Sequence, residues 1–506
     1  MPRFSYDDVL RRLFIGALFA TLLANGAVGL DLSALAATTF GALLAASSVT
    51  TIRRPRLRLL RLLSLALAVV VAAAVVHQVQ WDPTGAVAHP VWRELADAFG
   101  ETGGSRSMVR RHPIWEIPGT ILPFLVFATA IGLFRSEEDV GRLWRAIAVF
   151  GAVFAVYGLA QAAFFPAWHF GPRVHYLGSV TGFYVNRNAA ASLLLATALV
   201  SLVRLGTSWQ HIDIGRLRRL VTGAEPPREH ERRLLFDLAL VLVQVAALLL
   251  TRSRAGSVLG IVALAGFAGW QWRFLERRLH RRPSRRVVLT VAAIVGLFVV
   301  VVGLQLIRRL DVQGLDDSRW CVYPAMLRLV VEAWPWGTGL GTFPVAFAPH
   351  RPIVCGLNGI WDRAHDTYIQ GLVTLGWVFP VVVAISLAAI LPPLVRGSGG
   401  GRTVRPVVVA TLVLLAAAAL HSLVDFPLEI PGNAVLAATL VASAIGLAVG
   451  RENGAPRRGV RGDPGETDAP PPASDGRSGG EPAADGLPVS GRHRSARRRP
   501  DRRRTS

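Results

Sequence analysis

The sequence contains no lysine, only two cysteines and few charged residues of either sign. Charged side chains make up 17% of the 506 residues, whereas about 25% is usual in soluble domains. Two cysteines are too few for the disulfide framework of a small secreted protein or for a cysteine-based zinc site. Together these shortages argue against a soluble enzyme and against a disulfide-rich secreted protein.

Apolar residues are correspondingly abundant, at 52% of the chain, and the mean hydropathy is +0.42. A helix that crosses a bilayer needs about 20 mostly apolar residues, and it satisfies its own backbone hydrogen bonds there. We therefore predict an all-α fold, a polytopic transmembrane helix bundle of about 12 spans. The predicted spans are 13–30, 32–52, 62–79, 118–134, 146–165, 188–203, 234–250, 255–272, 287–307, 366–391, 406–424 and 433–450.

The chain contains 55 arginines and no lysine, and its formal net charge is +22. Such charge can indicate nucleic-acid binding, but in a membrane protein the positive-inside rule is the usual cause. With the N-terminus in the cytoplasm, 41 arginines fall in the cytoplasmic segments and the tail, and 14 fall in the external segments. This asymmetry predicts an N-in/C-in topology and no nucleic-acid partner.

The chain divides into a transmembrane domain, residues 1–450, and a tail, residues 451–506. The domain includes one large external loop, 308–365, in which we expect a helical segment. The tail is rich in Pro, Gly, Ser, Asp and Arg, and it has few large apolar side chains with which to form a core. We predict that this basic tail is disordered and cytoplasmic.

Polar side chains at the external ends of spans are candidates for function because they are costly beside a membrane. Arg252 and Arg254 lie between spans seven and eight, on the side where arginine is depleted. A structural salt bridge, or an anionic ligand held by the guanidinium groups, would explain them. His365 lies at the external start of span ten, where neutral imidazole can act as a general base, although a single histidine is more often structural.

Further polar groups lie at the ends of spans six and eleven. Asn188 opens span six, and His421 and Asp425 end span eleven on one helix face. Helix capping and hydrogen bonds between spans are the simpler interpretation of these residues. The external loop also contains the glycine-rich run Gly337–Phe343, which we interpret as a tight surface turn because no strand precedes it.

Both cysteines, Cys321 and Cys355, fall in the large external loop. An oxidising exterior permits a disulfide bond, and two cysteines alone fit no metal-binding pattern. We hypothesise that they pair with each other, and we predict no metal site.

The ordered set of motifs resembles the O-antigen ligase and O-antigen polymerase family of bacterial membrane proteins. The resemblance is strongest over about residues 180–435, and it depends on the order and spacing of four pieces. These pieces are Ser253–Gly256 at the head of a span, Arg319 followed by Tyr323 and the Gly337–Phe343 turn, His365 and Asp366 with Gly376 further on, and the segment from His421 to Pro431. Asp366 stands where the family usually has Asn, Ser or Gln, and Tyr323 where many members have tryptophan.

The resemblance implies a glycosyltransferase whose donor is a polyprenyl-diphosphate-linked glycan. Arg254, Arg319 and Arg252 would bind the diphosphate. His365 would be the catalytic residue that deprotonates or orients the acceptor hydroxyl. The reaction is expected to invert the anomeric configuration without a metal ion or a cofactor. Possible supporting residues are Asp366, Asn188, His421 and Asp425.

Three acceptors are compatible with the resemblance: lipid A core for a ligase, the growing glycan for a polymerase, and a protein side chain for a protein O-oligosaccharyltransferase. The expected location is the bacterial cytoplasmic (inner) membrane, where the lipid bilayer surrounds the spans and the active site faces the periplasm. A secondary transporter would also suit twelve spans, but it would carry ionisable residues near the midplane of two related halves. A scaffold that acts through its tail is a third interpretation.

Overall fold

The computed structural model describes residues 5–48, 54–82, 85–100, 103–168, 173–210, 226–279, 318–355 and 361–452. Within these ranges the chain forms fifteen α-helices, four 3-10 helices of three residues each and one antiparallel pair of two-residue strands, β1 (Gln80–Trp81) and β2 (Gly104–Ser105). This helical predominance confirms the predicted all-α fold class. The helices are α1 (Tyr6–Leu23), α2 (Leu30–Ser47), α3 (Arg54–Val76), α4 (Val91–Phe99), α5 (His112–Leu133), α6 (Glu137–Phe164), α7 (Arg187–Trp209), α8 (Glu229–Leu250), α9 (Arg254–Leu279), α10 (Ser318–Ala333), α11 (Phe343–Phe347), α12 (Thr367–Leu375), α13 (Val378–Gly397), α14 (Val404–His421) and α15 (Pro431–Glu452).

Ten of the described helices are long and apolar enough to span a membrane: α2, α3, α5 to α9 and α13 to α15. The first two turns of α1 carry the charged side chains Asp7, Asp8, Arg11 and Arg12, while the apolar remainder of that helix packs against α2 and α15. The predicted span nine, 287–307, lies outside the described residues. The polytopic helical architecture is confirmed.

The prediction of span ten, 366–391, as a single helix is wrong. The structure divides this segment into α12, which ends at Leu375, and α13, which begins at Val378. The break lies at Gly376, whose φ of 55° is left-handed and whose backbone lies against the Pro335 carbonyl so closely that a Cβ would collide with it. Within this segment α13 alone is a membrane-spanning candidate, and α12 packs against α10 of the external loop.

The helices α7 and α15 are the most deeply buried spans. α7 packs against α6, α8 and α9, and α15 packs against α5, α13 and α14. Small residues such as Ala190 and Ala191 of α7 are buried at these contacts, where they allow helices to approach closely. By contrast, α13 is the least buried span and exposes apolar side chains such as Leu387, as expected for a helix that faces lipid.

Segments predicted to lie on the same side of the membrane meet in the structure. Arg11 forms an ion pair of 3.3 Å with Asp139 at the start of α6, so two predicted cytoplasmic segments lie at one end of the bundle. At the other end the Met108 amide donates to the Thr338 carbonyl at 2.9 Å, which joins two predicted external segments. The grouping agrees with the predicted alternation, and the identity of the cytoplasmic end stays a prediction.

The glycine-rich run of the external loop forms a turn, but this turn is buried and the prediction of a surface position is wrong. Gly337, Gly339 and Gly341 adopt φ values of 78°, 105° and 73°, which favour glycine. The Thr338 and Gly339 amides donate to carbonyls of α12 at 2.8 and 2.9 Å. These two amides therefore hold α12 in place, and close packing explains why glycine occupies the three positions, since a Cβ at any of them would collide with neighbouring atoms.

Candidate active site

His365 lies in the short segment before α12, with its backbone in the left-handed region at a φ of 53°. Its Nδ1 atom lies 3.5 Å from Oδ1 of Asp425, a distance that suits an ion pair and is long for a hydrogen bond. The ring contacts Trp361 edge-on at 5.5 Å between centroids and Phe426 at 4.9 Å. These neighbours hold the imidazole in position. Because 22% of the side chain is exposed, a reactant can still reach it.

Asp425 connects the histidine to α7. Its side chain is 3% exposed, and it accepts hydrogen bonds from the Asn188 amide nitrogen and from the Phe426 backbone amide. Three residues that were predicted separately, His365, Asp425 and Asn188, thus form one polar chain between distant parts of the sequence. A carboxylate beside Nδ1 favours a proton on that nitrogen and leaves Nε2 as the basic atom of the ring.

A cavity of about 180 Å³ lies beside this chain. Three predicted site residues, Arg254, Asn188 and Asp425, line it. Arg187 and Trp320 also line it, and neither was predicted from the sequence. Arg187 directly precedes Asn188 in the sequence, and this adjacency was the available signal. The lining residues are Arg187, Asn188, Arg254, Ala255, Trp320, Tyr323, Val424 and Asp425.

The cavity lies at the N-terminal ends of helices. α7 begins at Arg187 and α9 begins at Arg254, so both lining arginines occupy first helical positions. The helix α10 begins two residues before the lining Trp320. Helix N-termini carry partial positive charge and favour anions, and here two guanidinium groups add to that field. The site is therefore suited to an anionic ligand.

The other two predicted arginines are placed differently. Arg252 has a φ of 57° in the turn between α8 and α9, and its side chain is exposed. It is not among the described residues that line the cavity. Arg319 belongs to the first turn of α10, next to Trp320, and its side chain lies outside the described part of the structure.

Asp366 caps the N-terminus of α12. Its carboxylate accepts hydrogen bonds from the Tyr368 and Ile369 amides at 2.8 and 3.0 Å. Burial raises the pKa of this carboxyl group, and the two amide donors act in the opposite direction. The cap fixes the helix that directly follows His365, and the supporting role of Asp366 in the reaction stays a prediction.

His421 forms a second polar pair between α7 and α14. Its Nδ1 atom lies 2.9 Å from the Ser192 hydroxyl oxygen, and its side chain is buried. Ser192 lies four residues after Asn188, and His421 lies four residues before Asp425. Two polar contacts, Asn188 with Asp425 and Ser192 with His421, therefore join α7 to the C-terminal end of α14 and the turn that follows it.

A further ion pair next to the site was not predicted. Arg363 lies 2.8 Å from Glu429, which is 14% exposed, and its guanidinium group lies 5.3 Å from the Phe426 ring centroid. Burial raises the pKa of the Glu429 carboxyl group, and Arg363 opposes that rise. The pair holds the His365 segment against the turn that follows α14. No local pattern connects residues so far apart in the sequence.

Cys321 and Cys355 are joined by a disulfide bond, with their Cα atoms 5.8 Å apart. The bond ties the first turn of α10 to the segment after α11 and so restrains the wall that carries Trp320. Among the described residues, no group of three or more His, Cys, Asp or Glu side chains is placed to hold a metal ion. Independence of metal ions stays a prediction.

Residues 238–383 match the family model described as O-antigen ligase. The matched segment runs from α8 into α13 and contains Arg254, Arg319 and His365, while Asn188 and Asp425 lie outside it. No curated protein was found to be similar to the chain. The family match supports the resemblance to the O-antigen ligase family that the motifs carry, over residues 238–383.

Proposed function

We propose that this protein is a membrane glycosyltransferase that transfers a preassembled glycan from polyprenyl (undecaprenyl) diphosphate to an acceptor hydroxyl. The reaction would take place at the outer-leaflet side of the bacterial cytoplasmic membrane. The observation that carries the proposal is that Asp425, which lines the cavity together with Arg187 and Arg254, lies 3.5 Å from His365. A base next to a cationic cavity is what transfer from a diphosphate requires.

The diphosphate would occupy the cationic part of the cavity. Arg254 and Arg187 would bind it together with the N-terminal ends of α7 and α9. The family resemblance implies the same role for Arg319. Negative charge grows on the diphosphate as the glycosidic bond breaks, so fixed cations stabilise the transition state more than the ground state. The polyprenyl chain would lie among the apolar helices.

His365 would act as the general base. Asp425 holds the proton on Nδ1, and Nε2 accepts the proton of the acceptor hydroxyl. The acceptor oxygen forms a bond to the anomeric carbon while the bond from that carbon to the diphosphate oxygen breaks. A single displacement of this kind inverts the anomeric configuration and releases polyprenyl diphosphate without a metal ion.

The three kinds of enzyme in the family differ in the acceptor that they use. The match to the O-antigen ligase model favours a ligase-like reaction, and the same site would serve a polysaccharide polymerase or a protein O-oligosaccharyltransferase. The secondary transporter has no comparable support, because the charged cavity lies at the predicted external end and not at the midplane.

The test compares wild type with His365→Ala in a strain that lacks the gene. We expect transfer to fall by about 10²–10⁴-fold, the usual contribution of a general base. Lipid-linked glycans are extracted and sized by mass spectrometry beside the finished surface product. Accumulation of complete chains indicates a ligase or an oligosaccharyltransferase, and accumulation of single repeat units indicates a polymerase.

His350→Ala is the matched control, since His350 lies in the same external loop and pairs with the exposed Glu332. This control should retain the wild-type pattern. Normal lipid-linked glycans and normal surface product in the His365→Ala strain, with the protein present in the membrane, would contradict the proposed reaction.

A further inference from the structure

The cavity has an aromatic wall that diphosphate binding does not explain. Trp320 and Tyr323 lie three residues apart on α10, on one face of the helix, and both line the cavity. Their ring centroids are 5.6 Å apart and their planes meet at 75°. Two aromatic planes therefore form a corner on the side of the cavity that α10 supplies.

This corner is held in position from several directions. The Tyr323 hydroxyl donates to the His365 carbonyl at 3.3 Å, and the disulfide bond at Cys321 restrains the same turn of α10. Trp320 itself remains 64% exposed. Burial of such a large ring is usually favourable, so an exposed tryptophan on a fixed turn at a cavity calls for a partner that covers it.

Elements other than α10 supply polar and charged side chains to the same cavity, namely Arg187, Arg254 and Asp425. Anions prefer the guanidinium groups, because the face of an aromatic ring carries partial negative charge. A sugar ring has the complementary character: its C–H groups carry partial positive charge and pack on aromatic faces, while its hydroxyl groups remain at the edge. One cavity could therefore hold a diphosphate on the arginines and a sugar on the aromatic corner.

We propose that Trp320 and Tyr323 form the subsite for the pyranose ring that is attached directly to the diphosphate. Trp320 is the stacking surface, and Tyr323 sets its orientation and links the corner to the His365 backbone. This arrangement places the anomeric carbon between the arginines and the Asp425–His365 pair. The inference rests on the proposed function, since it names the sugar-binding part of the same site.

The experiment measures binding of two lipids to the full-length protein in nanodiscs by native mass spectrometry. The probes are undecaprenyl diphosphate and undecaprenyl diphosphate N-acetylglucosamine, which differ only in the sugar. For Trp320→Ala we expect binding of the sugar-bearing lipid to weaken by about tenfold, as for loss of a buried aromatic contact, and binding of the sugar-free lipid to remain within about twofold. Retained binding of the sugar-free lipid also shows that the variant is folded.

Two further variants sharpen the comparison. Trp320→Phe keeps an aromatic face and should recover most of the affinity for the sugar-bearing lipid. Trp334→Ala removes a tryptophan that is 52% exposed just beyond the other end of α10, and it should bind both lipids as the wild type does. A role of Trp320 as a membrane-interface anchor would predict equal weakening for both lipids.

Equal weakening of both lipids by Trp320→Ala, or no change in either, would overturn the sugar subsite while leaving the proposed function in place. Failure of the wild type to bind either lipid would overturn the proposed function and, with it, the subsite. A tenfold loss that is confined to the sugar-bearing lipid and recovered by Trp320→Phe supports the subsite.

Discussion

At the scale of single residues, the chemistry proposed for His365 depends on the charge of Asp425. The Asp425 carboxylate is 3% exposed and lies 3.5 Å from the imidazole. A buried anion next to Nδ1 stabilises the imidazolium that forms when the ring accepts a proton. Asn188 donates to the same carboxylate and so keeps it turned toward the histidine.

We expect Asp425→Asn to lower glycan transfer by about 10²-fold or more, within the range of a lost general base. The amide keeps the size of the side chain and removes the charge that supports His365. The measurement is transferred glycan per unit of protein in isolated membranes that are supplied with lipid-linked donor. Asp362→Asn, an exposed aspartate three residues before His365, should behave as the wild type. Equal activity of the two variants would count against the role of Asp425.

At the scale of elements, the segment before α12 is held by the turn after α14. The Arg363–Glu429 ion pair of 2.8 Å lies before His365, and the Thr367 amide donates to the Ser422 carbonyl at 2.9 Å after it. A left-handed φ at a residue with a side chain persists only when its surroundings hold it. These contacts supply that support.

Arg363→Met should lower the free energy of unfolding by about 1–3 kcal/mol, because buried Glu429 loses its partner. Burial already raises the pKa of the Glu429 carboxyl group, and Arg363 opposes the rise. With a raised pKa the folded state binds more protons than the unfolded state, so stability falls as the pH rises from the usual range of glutamate through the raised value. Removal of Arg363 extends this window upward, and the loss should be greater at about pH 8 than at about pH 5.

The measurement is the thermal unfolding midpoint of the purified protein, followed by intrinsic fluorescence at both pH values. Arg233→Met is the control, since Arg233 and Glu229 form an exposed pair at 2.9 Å, and exposed pairs contribute little. Adding Glu429→Gln to Arg363→Met should restore part of the stability. If Arg363→Met were as stable as Arg233→Met at both pH values, the ion pair would have no structural role.

At the scale of the whole molecule, the segments that were predicted to share a side of the membrane do meet at one end of the bundle. The excess of arginine in the predicted cytoplasmic segments orients that bundle, because arginine is retained on the cytoplasmic side during insertion. This orientation is a prediction, and it would place the charged cavity at the external end, where the proposed polyprenyl-linked glycan is reached from outside the cell.

Labelling with a membrane-impermeant maleimide tests this orientation. Both native cysteines are joined in one disulfide bond, so a single added cysteine reports its own position. We expect Asp362→Cys to react in intact spheroplasts and Ser5→Cys to react only after the membrane is permeabilised. The reverse pattern would place the cavity in the cytoplasm and contradict the proposed site of reaction.

The boundaries of the spans show where prediction from the sequence succeeds and where it fails. The predicted starts 188 and 255 each lie within one residue of the observed starts of α7 and α9, because polar residues interrupt the apolar runs there. Span ten failed because the apolar run continues through Gly376. The run is divided into two helices at the point where Pro335, a residue from a distant segment, packs against that glycine.

Apolar length and charge asymmetry are properties of the sequence itself, and for that reason the all-α membrane architecture could be predicted from the chain alone. The external position of His365 and the role of Arg254 stay predictions. The partners of these residues depend on contacts between distant segments. Arg187 and Trp320 at the cavity, and Glu429 beside Arg363, became visible only in the folded chain. The physical reason is that a hydrogen bond or an ion pair between elements depends on how helices pack, which no spacing along one helix encodes.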